Sequence, residues 1–138
     1  MTNSLAIVAE MALVTWLVLL VASLLRAKAW TPSGLWAALG NREGMPPPHG
    51  LAARTDRAAK NMLEALVLFS ALVLAAAAGG VDSPQVELGA RLFFWARLAY
   101  LPVYMIGIPV LRTLVWCASV VGMGMIFRAI VQALPPGA

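Results

Sequence analysis

The stretch RAAKNMLEALVLFSALVLAAAA, residues 57–78, decides how this chain folds. From Met62 onward it is apolar apart from Glu64 and Ser70, and Gly79-Gly80 closes it. A run of this length suits a membrane-crossing helix, because a hydrocarbon core of about 30 Å takes about 20 residues in helix. Its opening is unusual. Arg57, Asn61 and Glu64 stand at i, i+4 and i+7, which puts all three on one helical face. A charge within lipid costs about 2.5–3.5 kcal/mol on insertion scales, so that face requires a partner helix or an aqueous cavity.

The rest of the chain has the same character. Of its 138 residues 62% are hydrophobic and 12% charged, against about 45–50% and about 25% in soluble domains. Three further apolar segments are long enough to span, and helices are predicted over residues 5–25, 58–78, 86–106 and 112–133, with a cytoplasmic loop over 27–56. The expected fold is all-α: one domain, residues 1–138, forming an integral membrane bundle of four transmembrane helices. Thr31-Pro32-Ser33-Gly34 and Pro46-Pro47-Pro48-His49-Gly50 punctuate the first connection, Pro109 the third, and Pro135-Pro136-Gly137 ends the fourth helix. The first apolar run follows Met-Thr-Asn-Ser with no basic leader and reads as a retained helix, not a signal peptide.

The net charge of +4 is no nucleic-acid footprint, because several basic residues sit inside or beside apolar runs. Cys117 is the only cysteine, which excludes an intrachain disulfide, and it reads as a packed thiol. His49 has no partner at a metal-ligand spacing and reads as a solvated loop imidazole, so no metal is expected. Arg26, Lys28, Arg42, Arg54, Arg57 and Lys60 flank or fill the first connection, whereas the second holds Asp82 and Glu87. The positive-inside rule then puts both termini outside and the first loop in the cytoplasm, with Arg112 at the third connection on the same side.

The intramembrane polar residues sort by depth. Glu10, Arg91 and Arg128 lie near the outer surface and read as a structural ion pair with a snorkelling arginine. The inner set is Arg57, Asn61 and Glu64, faced by a second stripe at i, i+3 and i+7: Arg97, Tyr100 and Tyr104. Counted from the cytoplasm, Glu64 is about 10 Å deeper than Arg57 and Arg97 about 10 Å deeper than Tyr104. Glu64 and Arg97 are therefore expected to share a level and pair, with Arg57, Tyr104 and Arg112 nearer the surface. Such a basic, aromatic-lined pocket suits a small anion. It would also favour a thiolate, since lowering a thiol pKa from about 8.5 by two units takes about 2.7 kcal/mol. Trp16, Trp30, Trp36, Trp95 and Trp116 read as interface and bundle contacts, and Gly122, Met123, Gly124 and Met125 as a close helix crossing.

These residues resemble a family, the membrane-associated proteins in eicosanoid and glutathione metabolism, which includes microsomal glutathione transferases, leukotriene C4 synthase and prostaglandin E synthase. The likeness rests on Arg57-Ala-Ala-Lys-Asn61-Met-Leu-Glu64 followed by Phe69, and on Ala96-Arg97-Leu-Ala-Tyr100-Leu-Pro-Val-Tyr104. Leu39-Gly40-Asn41-Arg42-Glu43 is similar to bacterial members. The resemblance implies a homotrimer, in a bacterial inner membrane, with glutathione as cosubstrate bound between subunits near the cytoplasmic face. Matched position by position, it implies glutathione binding by Arg57, Asn61, Glu64, Arg97 and Tyr100, and catalysis by Arg112 and Tyr104. Arg112-Thr113 is similar to an Arg-Ser pair beside the thiol in the prostaglandin synthase branch. Two positions depart from the pattern: Ala65 stands where several members carry an aromatic residue, and Arg112 follows Tyr104 by eight residues, a spacing that varies among branches.

The activity so implied is a glutathione-dependent transferase or peroxidase acting on a lipophilic small molecule or membrane lipid. The alternative is a non-catalytic lipid-binding or scaffold protein of the same fold. A small multidrug transporter, suggested by Glu10 in the first helix, fits poorly with so long a cytoplasmic loop and with arginines inside the membrane.

Overall fold

Thr31 accepts a hydrogen bond from the Gly34 backbone through its hydroxyl, and Pro32 occupies the first helical turn. Residues read as a break are thus a helix start. The computed structural model, which describes residues 3–41 and 44–135, contains five helices over those residues: α1 Asn3–Ala27, α2 Pro32–Leu39, α3 Gly50–Ala78, α4 Pro84–Ile106 and α5 Pro109–Ala133. Arg42 and Glu43 of the loop motif and Pro136-Gly137 of the C-terminal stop lie outside the described residues.

The main departure from the sequence reading is at α3. It begins at Gly50, eight residues before 58, and takes the last part of the expected loop with it. Hydropathy marks only the apolar run, whereas the helix extends ahead of it, held by charge pairs: Lys60 to Asp56 at 3.1 Å and Arg26 of α1 to the same carboxylate at 4.0 Å. Three of the four expected spans stand out by length and composition. Helices α1, α3 and α5 are long and apolar enough to cross a membrane. Helix α4 carries Glu87, Arg91 and Arg97 and is too polar to join them by composition.

All pairs among the four long helices pack together except α1 and α5, which are separated by α3 and α4. Antiparallel α3 and α4 are held in register by four contacts. The Arg54 Nε donates to the Met105 carbonyl, Arg57 meets Tyr104, Asn61 meets Arg97, and Phe69 stacks on Phe93 with centroids 4.0 Å apart and planes within 5°. Both phenylalanines are fully buried, with Met11, Met62, Val73 and Ile126 completing the core. Gly107 ends α4 in the left-handed region at φ 86°, so that α5 doubles back within two residues.

Helices in lipid associate by close packing, not by excluding water, and small residues set how close they come. At the α4–α5 crossing a Cβ built on Gly89 would lie 2.6 Å from the Gly122 carbonyl oxygen, and one on Gly122 would lie 2.7 Å from the Gly89 oxygen and 2.9 Å from the Phe93 nitrogen. The close crossing expected around residues 122–125 is therefore made by Gly122, while Gly124 meets nothing within 4 Å. Because the obstacles are backbone atoms, Gly122→Ala is expected to cost about 1–3 kcal/mol, the range for overpacking. A shift in the unfolding midpoint in mixed micelles measures it, and an unchanged midpoint would refute this crossing.

The outer charges also differ from expectation. Arg91 pairs with Glu87 one turn earlier on α4, and Asn3 donates to the same carboxylate at 2.9 Å. Glu10 and Arg128 are exposed and, among the described residues, have no partner. Cys117 is exposed on α5, not packed.

Candidate functional site

The buried stripe of α3, running Ala58, Met62, Ala65, Phe69, Val73 and Ala76, faces the bundle core. At about 100° per residue Asn61 lies on the flank of that stripe nearest α4, while Glu64 and Arg57 are turned farther round to the outside. The structure follows this geometry. Asn61 is half-buried and accepts from the Arg97 guanidinium at 2.8 Å, whereas Glu64 is exposed and has no partner among the described residues. The expected Glu64–Arg97 pair is thus replaced by Asn61–Arg97, about one turn nearer Arg57 on α3.

Arg97 is 2% exposed, the largest fully buried side chain among the described residues. Its guanidinium carbon lies 5.2 Å from the Tyr100 ring centroid and 5.6 Å from that of Phe93. These faces supply cation–π attraction, the second support of a charge that has one hydrogen bond. Its Nε has no hydrogen-bond partner.

Toward the α4–α5 turn a second cluster forms. Arg57 donates through Nε to the Tyr104 hydroxyl at 3.2 Å, and the Arg112 guanidinium carbon stands 5.1 Å from the Tyr104 ring centroid. Tyr100 and Tyr104 are in contact, with ring centroids 5.3 Å apart. Tyr104 is therefore held by one guanidinium at its oxygen and another at its face. An open cleft of about 300 Å³ borders this cluster, lined by Tyr100, Tyr104, Arg112, Thr113 and Trp116. Its lining is cationic and aromatic and carries the hydroxyls of Tyr100, Tyr104 and Thr113, a donor set for a small organic anion.

Of the seven sequence-nominated residues, Tyr100, Tyr104 and Arg112 meet at the cleft, and Arg57 joins them through the Tyr104 hydroxyl. Arg97 and Asn61 sit behind, linked to the cleft through Tyr100. Glu64 stands apart. Trp116, whose sequence reading favours an interface contact over a pocket wall, lines the cleft one turn along α5 from Arg112. Arg54, which caps the α4 carbonyl of Met105, was likewise read only as loop charge.

A separate groove of about 200 Å³ lies between α1, α3 and α4, lined by Leu17, Val18, Val21, Thr55, Ala58, Leu101 and Met105. It is apolar apart from Thr55, as a lipid chain requires.

No curated relative and no solved structure matches the chain. The model of the MAPEG family, however, matches residues 4–131, a span that takes in all four long helices almost to their ends and both polar clusters. With its apolar membrane-length helices and that match over nearly its full length, the chain is an integral membrane protein of the MAPEG family.

Proposed function

We propose that this chain is a membrane-bound, glutathione-dependent transferase or peroxidase for lipophilic electrophiles or lipid hydroperoxides. Membership of a family that includes such enzymes supports this, and the observation that carries it is the Arg57–Tyr104–Arg112 cluster beside an open cleft. Glutathione offers two carboxylates, an ammonium and a thiol. The chain offers Arg57 and Arg112 as guanidinium donors, Tyr100 and Tyr104 as hydroxyl donors, and Glu64 as an unpaired carboxylate for an ammonium. The chemistry of the donor set fits.

When bound, glutathione would supply the thiolate that attacks an electrophilic carbon or a hydroperoxide oxygen, so no protein nucleophile is needed. Arg112 then holds negative charge at the cleft, and Arg57 keeps the Tyr104 hydroxyl oriented. Arg97 and Asn61 act as positioning residues by fixing Tyr100 from behind. The apolar groove near Thr55 gives a lipophilic substrate a path from the bilayer.

The same reading includes α4 as a fourth span, because its charges are largely answered inside the chain, with both termini outside in a bacterial inner membrane. It also includes a homotrimer, since Glu64 and Arg57 point outward and a neighbouring copy would complete the site. A non-catalytic lipid-binding or scaffold role is the second reading, favoured by the apolar groove.

Calorimetric titration of glutathione into detergent-purified protein, with thiolate absorbance followed in the ultraviolet, tests the proposal. Saturable binding with a thiolate signal supports it; no binding to well-folded protein leaves the scaffold role. Tyr104→Phe, which removes the hydroxyl that Arg57 holds, is expected to lower turnover about tenfold. Unchanged turnover would remove Tyr104 from the mechanism.

A further inference from the structure

Besides Asp82 in the α3–α4 turn, four charged residues lie on the helices in the outer half of the bundle: Glu10 on α1, Glu87 and Arg91 on α4, and Arg128 on α5. Glu87 and Arg91 neutralise each other. That leaves one carboxylate and one guanidinium, both exposed inside helices composed for lipid, and neither with a partner among the described residues. A carboxylate on a short stem snorkels poorly, so Glu10 in particular requires a cation.

The two residues are level. Glu10 is about 10 Å from the start of α1 and Arg128 about 8 Å from the end of α5. Those helix ends border one landmark: the α3–α4 turn at Val81, Asp82 and Ser83 lines one cavity with Asn3 and Ser4 and another with Ala129, Gln132 and Ala133. Within a chain they cannot meet, because α1 and α5 are separated by α3 and α4. Gly124, one turn before Arg128, has nothing within 4 Å and leaves room for another backbone. On α1, Leu13 and Leu17 continue the exposed side of Glu10 at 57% and 45% exposure.

We infer that Glu10 of one copy pairs with Arg128 of the next, joining the α1 face of each chain to the α5 face of its neighbour in the outer leaflet. The two patches differ in sign and lie on opposite sides of the bundle, so the contact is head-to-tail and each copy uses both faces once in a closed ring. This rests on the proposal that the chain assembles, and it adds the residues that set which faces meet.

The test uses Glu10→Arg, Arg128→Glu and the double exchange in full-length protein, with oligomer mass followed by light scattering over a dilution series in mild detergent. Each single exchange sets like charges opposite one another and is expected to raise the dissociation constant at least tenfold, and the double exchange to recover most of that loss. Glu10→Cys with Arg128→Cys, in a Cys117→Ser background, is expected to cross-link between copies under mild oxidation. If all variants assemble like wild type and the cysteines do not cross-link, the pair is wrong while assembly stands. If wild type is monomeric throughout, both fall.

Discussion

Replacing Asn61 with leucine is expected to destabilise the folded protein by about 3 kcal/mol, as much as truncating a buried apolar side chain. Hydrogen bonds between helices in membranes average only about 0.6 kcal/mol, because the unfolded helix also finds partners in the bilayer. The Asn61 carbonyl differs in what it serves: Arg97 is a charge sealed at 2% exposure, with its Nε already unbonded. A hydrogen bond to a charged group contributes about 1.5–3 kcal/mol, and stripping a buried charge of its partner costs about 3–5 kcal/mol. The Tyr100 and Phe93 faces recover part of this. Unfolding in mixed micelles, read by helical circular dichroism, measures the loss. The discriminating variant is the double substitution Asn61→Leu with Arg97→Met. It removes the charge along with its partner and is expected to regain most of the stability, whereas a double variant no better than the single would mean that the hydrogen bond is not what holds Arg97.

Arg112→Ala is expected to lower the rate of glutathione-dependent turnover by about 10²- to 10³-fold, the usual cost of removing one donor aimed at developing charge. Arg112 is at the cleft wall and touches the core only through the Tyr104 face, so the fold is expected to survive the change. Glutathione affinity should fall much less than turnover, because Arg57 still offers a guanidinium beside the cleft. Arg112→Lys keeps the charge and loses the planar fork, and it should retain more thiolate signal than alanine but less than wild type. Equal losses in binding and turnover would make Arg112 a binding residue; no loss in either would move the thiolate site elsewhere.

Much of the site was legible because helical spacing carries direction and depth together. Arg57 and Asn61 of one stripe do meet Tyr104 and Arg97 of the other, while Glu64 stays outside the contact. What spacing leaves open is how far a helix is rotated about its own axis. A turn of about 60° separates residues three apart, and that was enough to put Asn61 opposite Arg97 and send Glu64 outward. Thr31-Pro32 was misread because the same residues break one helix and start another.

The sequence by itself determined the membrane, the long apolar helices and the levels at which charges would lie, because these depend on length, composition and a fixed rise per residue. Only the tertiary structure decided which charges are neighbours. Packing about Phe69, Phe93 and the Gly89–Gly122 crossing sets the rotation of each helix, and that rotation buries Arg97, gathers Arg57 and Arg112 around Tyr104, and leaves Glu10, Glu64 and Arg128 facing outward.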